Sequence, residues 1–478
     1  MNVICDANQE IFNILKGPQI YVEGKKYRFN KFCIIEEYED NILIYNSLTG
    51  GLIGLSKLEY KNIDVTKNYE YVNFLISSWF LVTENFDEEY VLDIMRKRQE
   101  VLLTDYYLDH PTMFTILTTS ACNARCFYCY ELGIKKKTHM SKETAEKVAD
   151  YIIKHTDKRD TISLDWFGGE PLFNSEVIDL ICFRVLASGI KFTSSMVTNG
   201  YLFDDNIINK AINQWNLTNV QITLDGTEEI YNKTKAYIYK DCESPFKRVI
   251  QNIHKLLDAK INVSIRMNCD KHNFEDLIKL VDYLYQEFGK NEYFTLYVWP
   301  IFDDESKRTP EERKILYDNI DKIDQHIYDI FGIVVKGINR AVAGVHCMVD
   351  RGNAVCIYPK GEIGVCEHYL EDHFVSHIDN PNEKNWDVLK QWRQYTPYGD
   401  LCKDCPIRPE CIRVNDCPDH KICDKYEKAH ILHRARIGII QELKNYIERL
   451  NSGNNDKCGG SCSNPNCGQH DPCYNAQR

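Results

Sequence analysis

The sequence predicts an α/β protein, six parallel β/α units wound into an open sheet or a partial barrel between a small α+β domain and a cysteine-rich segment. Strand-like runs at 113–120, 161–167, 192–197, 219–224, 261–268 and 293–299 alternate with amphipathic helical stretches near 142–156, 175–188, 204–216, 246–259 and 274–288. Ahead of them lies a hairpin-like region. Behind them the periodicity gives way to cysteine, glycine and proline. Strand and helix in regular alternation imply right-handed parallel units, and six fall short of a closed eight-stranded barrel.

From Gly24 to Leu103, β-rich runs at Phe32 to Glu36 and Ile42 to Tyr45 are followed by a turn over Asn46 to Gly51 and then by helical stretches, the last from Asp87 to Leu103. After the barrel, a helical bridge covers about 308 to 331. The segment from there to about 425 shows little periodicity and is expected to be held by something other than a large apolar core. A final helix runs from Tyr426 to Leu450, and the polar tail beyond Asn451 is expected to be disordered without metal. The expected domains are 1–105, 106–308, a bridge at 309–345, 346–450 and a tail at 451–478.

An apolar fraction of 44% and a charged fraction of 27% are ordinary for a folded chain with a sizeable core. The net charge of −12 disfavours nucleic acid and anionic membrane as partners. Met1 to Ile20 lacks the layout of a secretory signal, and no run of about 18 apolar residues occurs, so a cytoplasmic, membrane-free protein is expected. In that reducing compartment, twenty cysteines point to metal rather than to disulfides. Three lie at 122 to 129, eight between 347 and 423, and four between 458 and 473.

Cys122, Cys126 and Cys129 are spaced so that three thiolates converge on one cluster and leave one iron open, as a catalytic metal requires. A zinc knuckle with a borrowed fourth ligand is the alternative use of the spacing. The C-x3-C-x2-C loop, with Tyr128 before its last cysteine, resembles the signature of the radical S-adenosylmethionine (SAM) superfamily. Further matches follow in order beyond successive predicted strands: Gly168-Gly169-Glu170-Pro171, Thr198-Asn199-Gly200, Leu224-Asp225-Gly226, and the pair Arg266 and Asn268.

The resemblance implies a TIM-like partial (β/α)6 radical SAM barrel whose Cys122, Cys126 and Cys129 hold a catalytic [4Fe–4S] cluster that binds SAM. It further implies that Gly168, Gly169, Glu170 and Pro171 meet the SAM amino group, with glycine permitting close approach. Thr198, Asn199 and Asp225 are implied near the ribose and substrate, and Arg266 and Asn268 near the SAM carboxylate and ribose. Asp225 as a turn cap and Arg266 as a surface ion-pair partner remain the plainer alternatives. Where the family often carries His-Asp and an Arg, this chain has Tyr231-Asn232 and Lys235, so those local contacts do not carry over.

The second cysteine field resembles the SPASM domain, which implies two auxiliary [4Fe–4S] clusters. By the family's interleaved ligation, one takes Cys347, Cys356, Cys366 and Cys417, and the other Cys402, Cys405, Cys411 and Cys423. The spacing of Cys417 and Cys423 departs from the usual pattern, and a zinc ribbon at Cys402 and Cys405 is the alternative. Residues 20 to 100 are similar to the winged-helix-like element that captures a leader peptide in peptide maturases; a plain packing domain is the alternative.

Together these resemblances imply an oxidoreductase-type peptide maturase. It would cleave SAM to a 5′-deoxyadenosyl radical and modify a ribosomally made cysteine-rich precursor peptide, leader and core, forming thioether crosslinks. An electron donor such as flavodoxin or ferredoxin is implied as partner. Epimerisation, a carbon–carbon crosslink or sulfatase-type oxidation of Cys or Ser are the rival outcomes, and a non-catalytic zinc adaptor is the rival from another class.

Overall fold

The computed structural model describes residues 1–8, 11–12, 21–63, 70–102, 110–133, 137–239, 244–301, 308–335, 353–367, 374–393, 399–410 and 423–452. Near the N-terminus, β1 (Asn2–Cys5), β3 (Cys33–Tyr38), β4 (Asn41–Asn46) and β5 (Gly51–Ser56) form an antiparallel sheet of order β1-β5-β4-β3, while β2 (Tyr27–Phe29) pairs with β6 (Leu81–Thr83). The expected hairpin is therefore part of a four-stranded sheet, and a strand rather than a helix follows the turn. Two glycines hide β5 from propensity, and both are packing choices: a Cβ on Gly51 would lie 3.1 Å from Phe80, and one on Gly54 3.5 Å from Ile4.

The central sheet runs through β7 (Met113–Thr119), β8 (Thr161–Gly168), β9 (Lys191–Thr198), β10 (Leu217–Thr223), β11 (Asn262–Cys269) and β12 (Phe294–Pro300), all parallel in register. Each β8 residue of even number from Ile162 to Trp166 is buried in the core shared with the surrounding helices, while Ser163, Asp165 and Phe167 turn to the opposite, inner face. The helices start where short polar side chains can satisfy open N–H groups. Ser141 caps Lys142–His155, Asp204 caps Asp205–Asn213, and Thr309 with Glu312 forms a capping box for Pro310–Phe331.

One expectation is corrected here. The cysteine-rich segment is not free of apolar support, because β13 (Ala354–Ile357) is wholly buried and pairs parallel with β7, extending the central sheet. β14 (Glu362–Gly364) and β15 (Ser376–His377) then add antiparallel, giving nine strands in the order β12-β11-β10-β9-β8-β7-β13-β14-β15. Four residues are too short a run to read as a strand when cysteine, glycine and proline surround them.

The final helix, Lys425–Asn451, packs on Pro310–Phe331 through Arg434, which donates to Asp324 (2.7 Å) and to the carbonyl of Val298 (2.8 Å). Its other face meets the N-terminal sheet, where Ala435, Ile439 and Leu443 share a cluster with Ile4, Leu43, Leu52 and Ile407. Tyr45 donates to Glu410 and Ser47 to the carbonyl of Pro406, so the N-terminal sheet and the cap interlock. No helix among the described residues is long and apolar enough to cross a membrane.

Candidate active site

The cysteine loop leaves β7 at the carboxyl edge of the sheet, where strand ends gather in parallel β/α folds. Three neighbouring turns fasten it. From the turn after β8, the Gly169 N–H donates to the Thr119 carbonyl (2.9 Å) and the Glu170 N–H to that of Ala121 (3.0 Å). The turn after β9 contributes Asn199, whose Nδ2 donates to Asn123 (2.7 Å) and lies 3.7 Å from the Cys122 sulfur. After β10 comes an unexpected short helix, Glu228–Lys235; its last carbonyl accepts from Arg125 N–H (2.8 Å), and Ile238 N–H donates to Asn123 (2.9 Å).

The two glycines have a role that the resemblance did not supply. Gly168 sits at φ +120°, and a Cβ there would lie 2.2 Å from the Thr119 carbonyl; on Gly169 it would lie 2.4 Å from that of Ala121. They let β8 approach the chain entering the cysteine loop. Both carboxylate oxygens of Glu170 point inward: Oε1 accepts from Leu172 N–H and Thr198 Oγ1 (2.8 Å), and Oε2 from Asn199 N–H (2.9 Å). Burial pushes this carboxyl up to about 7, against those hydrogen bonds. Pro171 begins the one-turn helix that follows.

Asp225 does more than cap a turn. Its Oδ2 accepts from the Tyr128 hydroxyl (2.5 Å) and forms a buried ion pair with Lys235 Nζ (2.9 Å), while Oδ1 accepts from Asn268 Nδ2 (2.9 Å). Lys235 Nζ also reaches the Tyr128 hydroxyl at 2.9 Å. Burial draws the Lys235 pKa down, yet Asp225, Tyr128 and Cys126 outweigh it and hold the ammonium well above its usual range. Arg266 donates to Asn268 Oδ1 (3.0 Å) and has no acidic partner among the described residues, which leaves its guanidinium charge available to an anionic ligand.

Sequence reasoning missed Lys235 by reading it as a departure from a pattern. The available signal was its place four residues after Tyr231, which puts two amphipathic side chains on one helix face. Both are buried.

Three thiols on one short loop, held by the surrounding strand ends, form a donor set that fits an iron–sulfur cluster, whose ligands are thiolates. Burial, then the nearby Glu170 charge, pushes the Cys122 thiol up to about 12, and burial also raises Cys129. Metal charge reverses that preference, since thiolates are the ligands.

In the cap, Cys356 lies on β13 among Met113, Leu117 and Tyr358, and the Tyr358 hydroxyl donates to the Cys366 carbonyl. The structure thus gathers Cys356 and Cys366 around one tyrosine. Cys402 and Cys405 share a turn closed by a 3.1 Å hydrogen bond, and Cys423 directly precedes Asp424, the cap of the final helix. Cys347, Cys411 and Cys417 lie outside the described residues, as do the tail cysteines.

The Radical SAM superfamily model matches residues 116–306. S-adenosylmethionine-dependent nucleotide dehydratase from Pseudoalteromonas ulvae is 32% identical over 106 residues, 19% of this chain and 33% of that protein. Mycofactocin maturase MftC from Mycolicibacterium smegmatis is 25% identical over 285 residues, covering 56% of this chain and 67% of its own. The chain therefore spans one third of the first relative and two thirds of the second. A solved structure of anSMEcpe with AdoMet and a peptide bound shares the fold at TM-score 0.53 and 16% identity, over 70% of this chain and 99% of that one. The family match implies a [4Fe–4S] cluster and SAM for the matched domain. Three thiols at the carboxyl edge of a mostly parallel α/β sheet agree with that match, and residues 116–306 form a Radical SAM domain.

Proposed function

We propose that the enzyme modifies a ribosomally made cysteine-rich precursor peptide by radical chemistry, forming thioether crosslinks. One observation carries the reading: the cysteine loop opens at the rim of an inner sheet face on which Asp165, Ser195, Asn219 and Gln221 set polar groups among apolar neighbours along one cavity. Those polar groups offer hydrogen-bond partners to a chain segment. Similarity to a maturase over two thirds of its length supports a maturation role.

Cys122, Cys126 and Cys129 would hold the catalytic cluster, with Arg266 and Asn268 beside the SAM carboxylate and ribose. The turns at 168–171 and 198–200 keep the cysteine loop in place. When bound, cluster and SAM together supply a 5′-deoxyadenosyl radical that takes hydrogen from an unactivated C–H bond. Lys235, Asp225 and Tyr128 form a water-excluding floor beside Cys126, and the buried pair keeps its charges fixed while neighbouring groups react.

In the SPASM-like cap, Cys347, Cys356, Cys366 and Cys417 would hold one auxiliary cluster and Cys402, Cys405, Cys411 and Cys423 the other. Such clusters supply low-potential electron acceptors. β3 forms one edge of the N-terminal sheet, and an extended leader can add to such an edge through main-chain hydrogen bonds. Tethering the leader there raises the effective concentration of the core peptide. A flavodoxin or ferredoxin would supply electrons.

The test is anaerobic reconstitution with iron counting and SAM cleavage, using a neighbouring cysteine-rich open reading frame as substrate. About twelve irons per chain and a mass loss of about two hydrogens per crosslink are expected. Replacing Cys122, Cys126 and Cys129 together by alanine should reduce 5′-deoxyadenosine to background. Unchanged peptide mass with altered stereochemistry would replace thioether formation by epimerisation, and about four irons would remove the auxiliary clusters.

A further inference from the structure

The inner face of the sheet holds an unbalanced negative charge away from the cysteine loop. Asp165 lies three residues before Gly168 on β8, about 10 Å of strand below the rim. Its Oδ1 accepts from Ser163 Oγ (2.9 Å) and Ser195 Oγ (2.6 Å). Oδ2 has no hydrogen bond, and Asp165 pairs with no Lys, Arg or His among the described residues. Asp165 lines a cavity together with Ser195, Asn219 and Gln221.

A second, independent observation lies three strands away. Ser264 on β11 lines the same cavity, is 9% exposed, and its hydroxyl is buried with no hydrogen-bond partner. Gln221 between them already accepts from the Tyr297 hydroxyl (2.9 Å). A partly buried carboxylate with a spare oxygen and an unsatisfied hydroxyl that line one cavity make a site whose polar groups a ligand would complete. A carboxylate only accepts and a hydroxyl can accept as well, so the pair suits a donor-rich cation, and the carboxylate repels an anion.

We propose that Asp165 and Ser264 form a subsite for an ammonium or guanidinium group, that of a Lys or Arg side chain of the substrate. The signs along the inner face agree with this placement. Arg266, nearer the rim on β11, has charge available to an anion, whereas Asp165 further down has charge available to a cation. A Lys or Arg inserted head-down leaves its backbone near the rim, where the cysteine loop opens. The assignment of the cation to a peptide rests on the proposed function; the cation site itself does not.

The plainer role for Asp165 is to tie β8 to β9 through the two serines. Asp165→Asn separates the two, because its Oδ1 still accepts from both serines while the charge is gone. Saturation-transfer NMR on the anaerobically reconstituted protein, with Nα-acetyl-lysinamide as probe and Nα-acetyl-norleucinamide as its neutral counterpart, reads the site directly. The lysine probe should bind the wild type, about tenfold more weakly to D165N and several-fold more weakly to S264A, and the norleucine probe should bind none of them. Equal lysine-probe binding by wild type and D165N overturns the proposal. In a second arm, each Lys and Arg of the precursor peptide is replaced in turn by norleucine. One replacement should raise the wild-type KM about tenfold and leave the D165N KM unchanged. If the probe binds but no position couples, the ligand is a free amine rather than a peptide side chain. If the probe binds but the chain modifies no peptide, the peptide reading fails and the cation site stands.

Discussion

The cysteine loop at 122–129 and the cap cysteines between 347 and 423 gather thiols by different means. The first set lies within eight residues, and its geometry is imposed from outside: the ends of β7 and β8 and the helix Glu228–Lys235 hold the loop by backbone hydrogen bonds, and the end of β9 holds it through the Asn199 side chain. The second set is spread over 77 residues, with β13 lending it a strand on the central sheet and the N-terminal sheet lending it a contact at Tyr45 and Glu410. A site built on strand ends is organised before metal arrives. On the proposed ligation, a cap site built from loops would need its metal as part of the fold, because metal binding and folding would then be one equilibrium.

The largest effect that sharpens this contrast is expected at Lys235. Lys235→Met leaves Asp225 buried without its cation, at a cost of about 3–5 kcal/mol, and removes the carbonyl-anchoring helix end from its place under the loop. Denaturant unfolding should show that loss, and SAM cleavage should fall with it. Adding Asp225→Asn should recover most of the stability, since the uncompensated charge is then gone.

Next in size is the cap. Replacing Cys402 and Cys405 by alanine should lower the iron content from about twelve to about eight per chain while leaving peptide-free SAM cleavage in place. Loss of SAM cleavage as well would mean that the two thiol fields are not independently organised, and the contrast drawn above would break.

The smallest effect concerns the helix pair that joins the two regions. His430 is buried against Pro310–Phe331, with its Nδ1 beside Asp321, and burial, then the neighbouring Arg434, lowers its pKa below the usual 6.5. The native state therefore binds fewer protons than the unfolded chain in that window. The stabilisation is present above about pH 6.5 and is lost as pH falls through the lowered folded value. His430→Asn should flatten the acid limb of a stability-versus-pH curve without changing its alkaline side.

Much of this was legible from the chain. The six barrel strands fall within two residues of the runs read from periodicity, because strands such as β8, β10 and β11 alternate an apolar helix-facing set with a more polar inner set. Residues 122–129, 168–171, 198–200 and 225 lie at or just beyond strand ends, whereas Arg266 and Asn268 lie within β11. β5 and β13 were not legible: glycine lowers the propensity of one and cysteine-rich surroundings mask the other, and only pairing with a neighbour makes either a strand.

What the sequence determined by itself was the chemistry, since thiols at close spacing and ordered turns after successive strands are local facts. What only the tertiary structure decided was which charges face each other. Lys235 meets Asp225 and Tyr128, Glu170 turns inward to Thr198 and Asn199, and Asp165 is left on the inner face with an oxygen to spare. The physical reason is that electrostatic pairing in a low-dielectric interior depends on distances across strands and on burial, and neither is written in the spacing of residues along the chain.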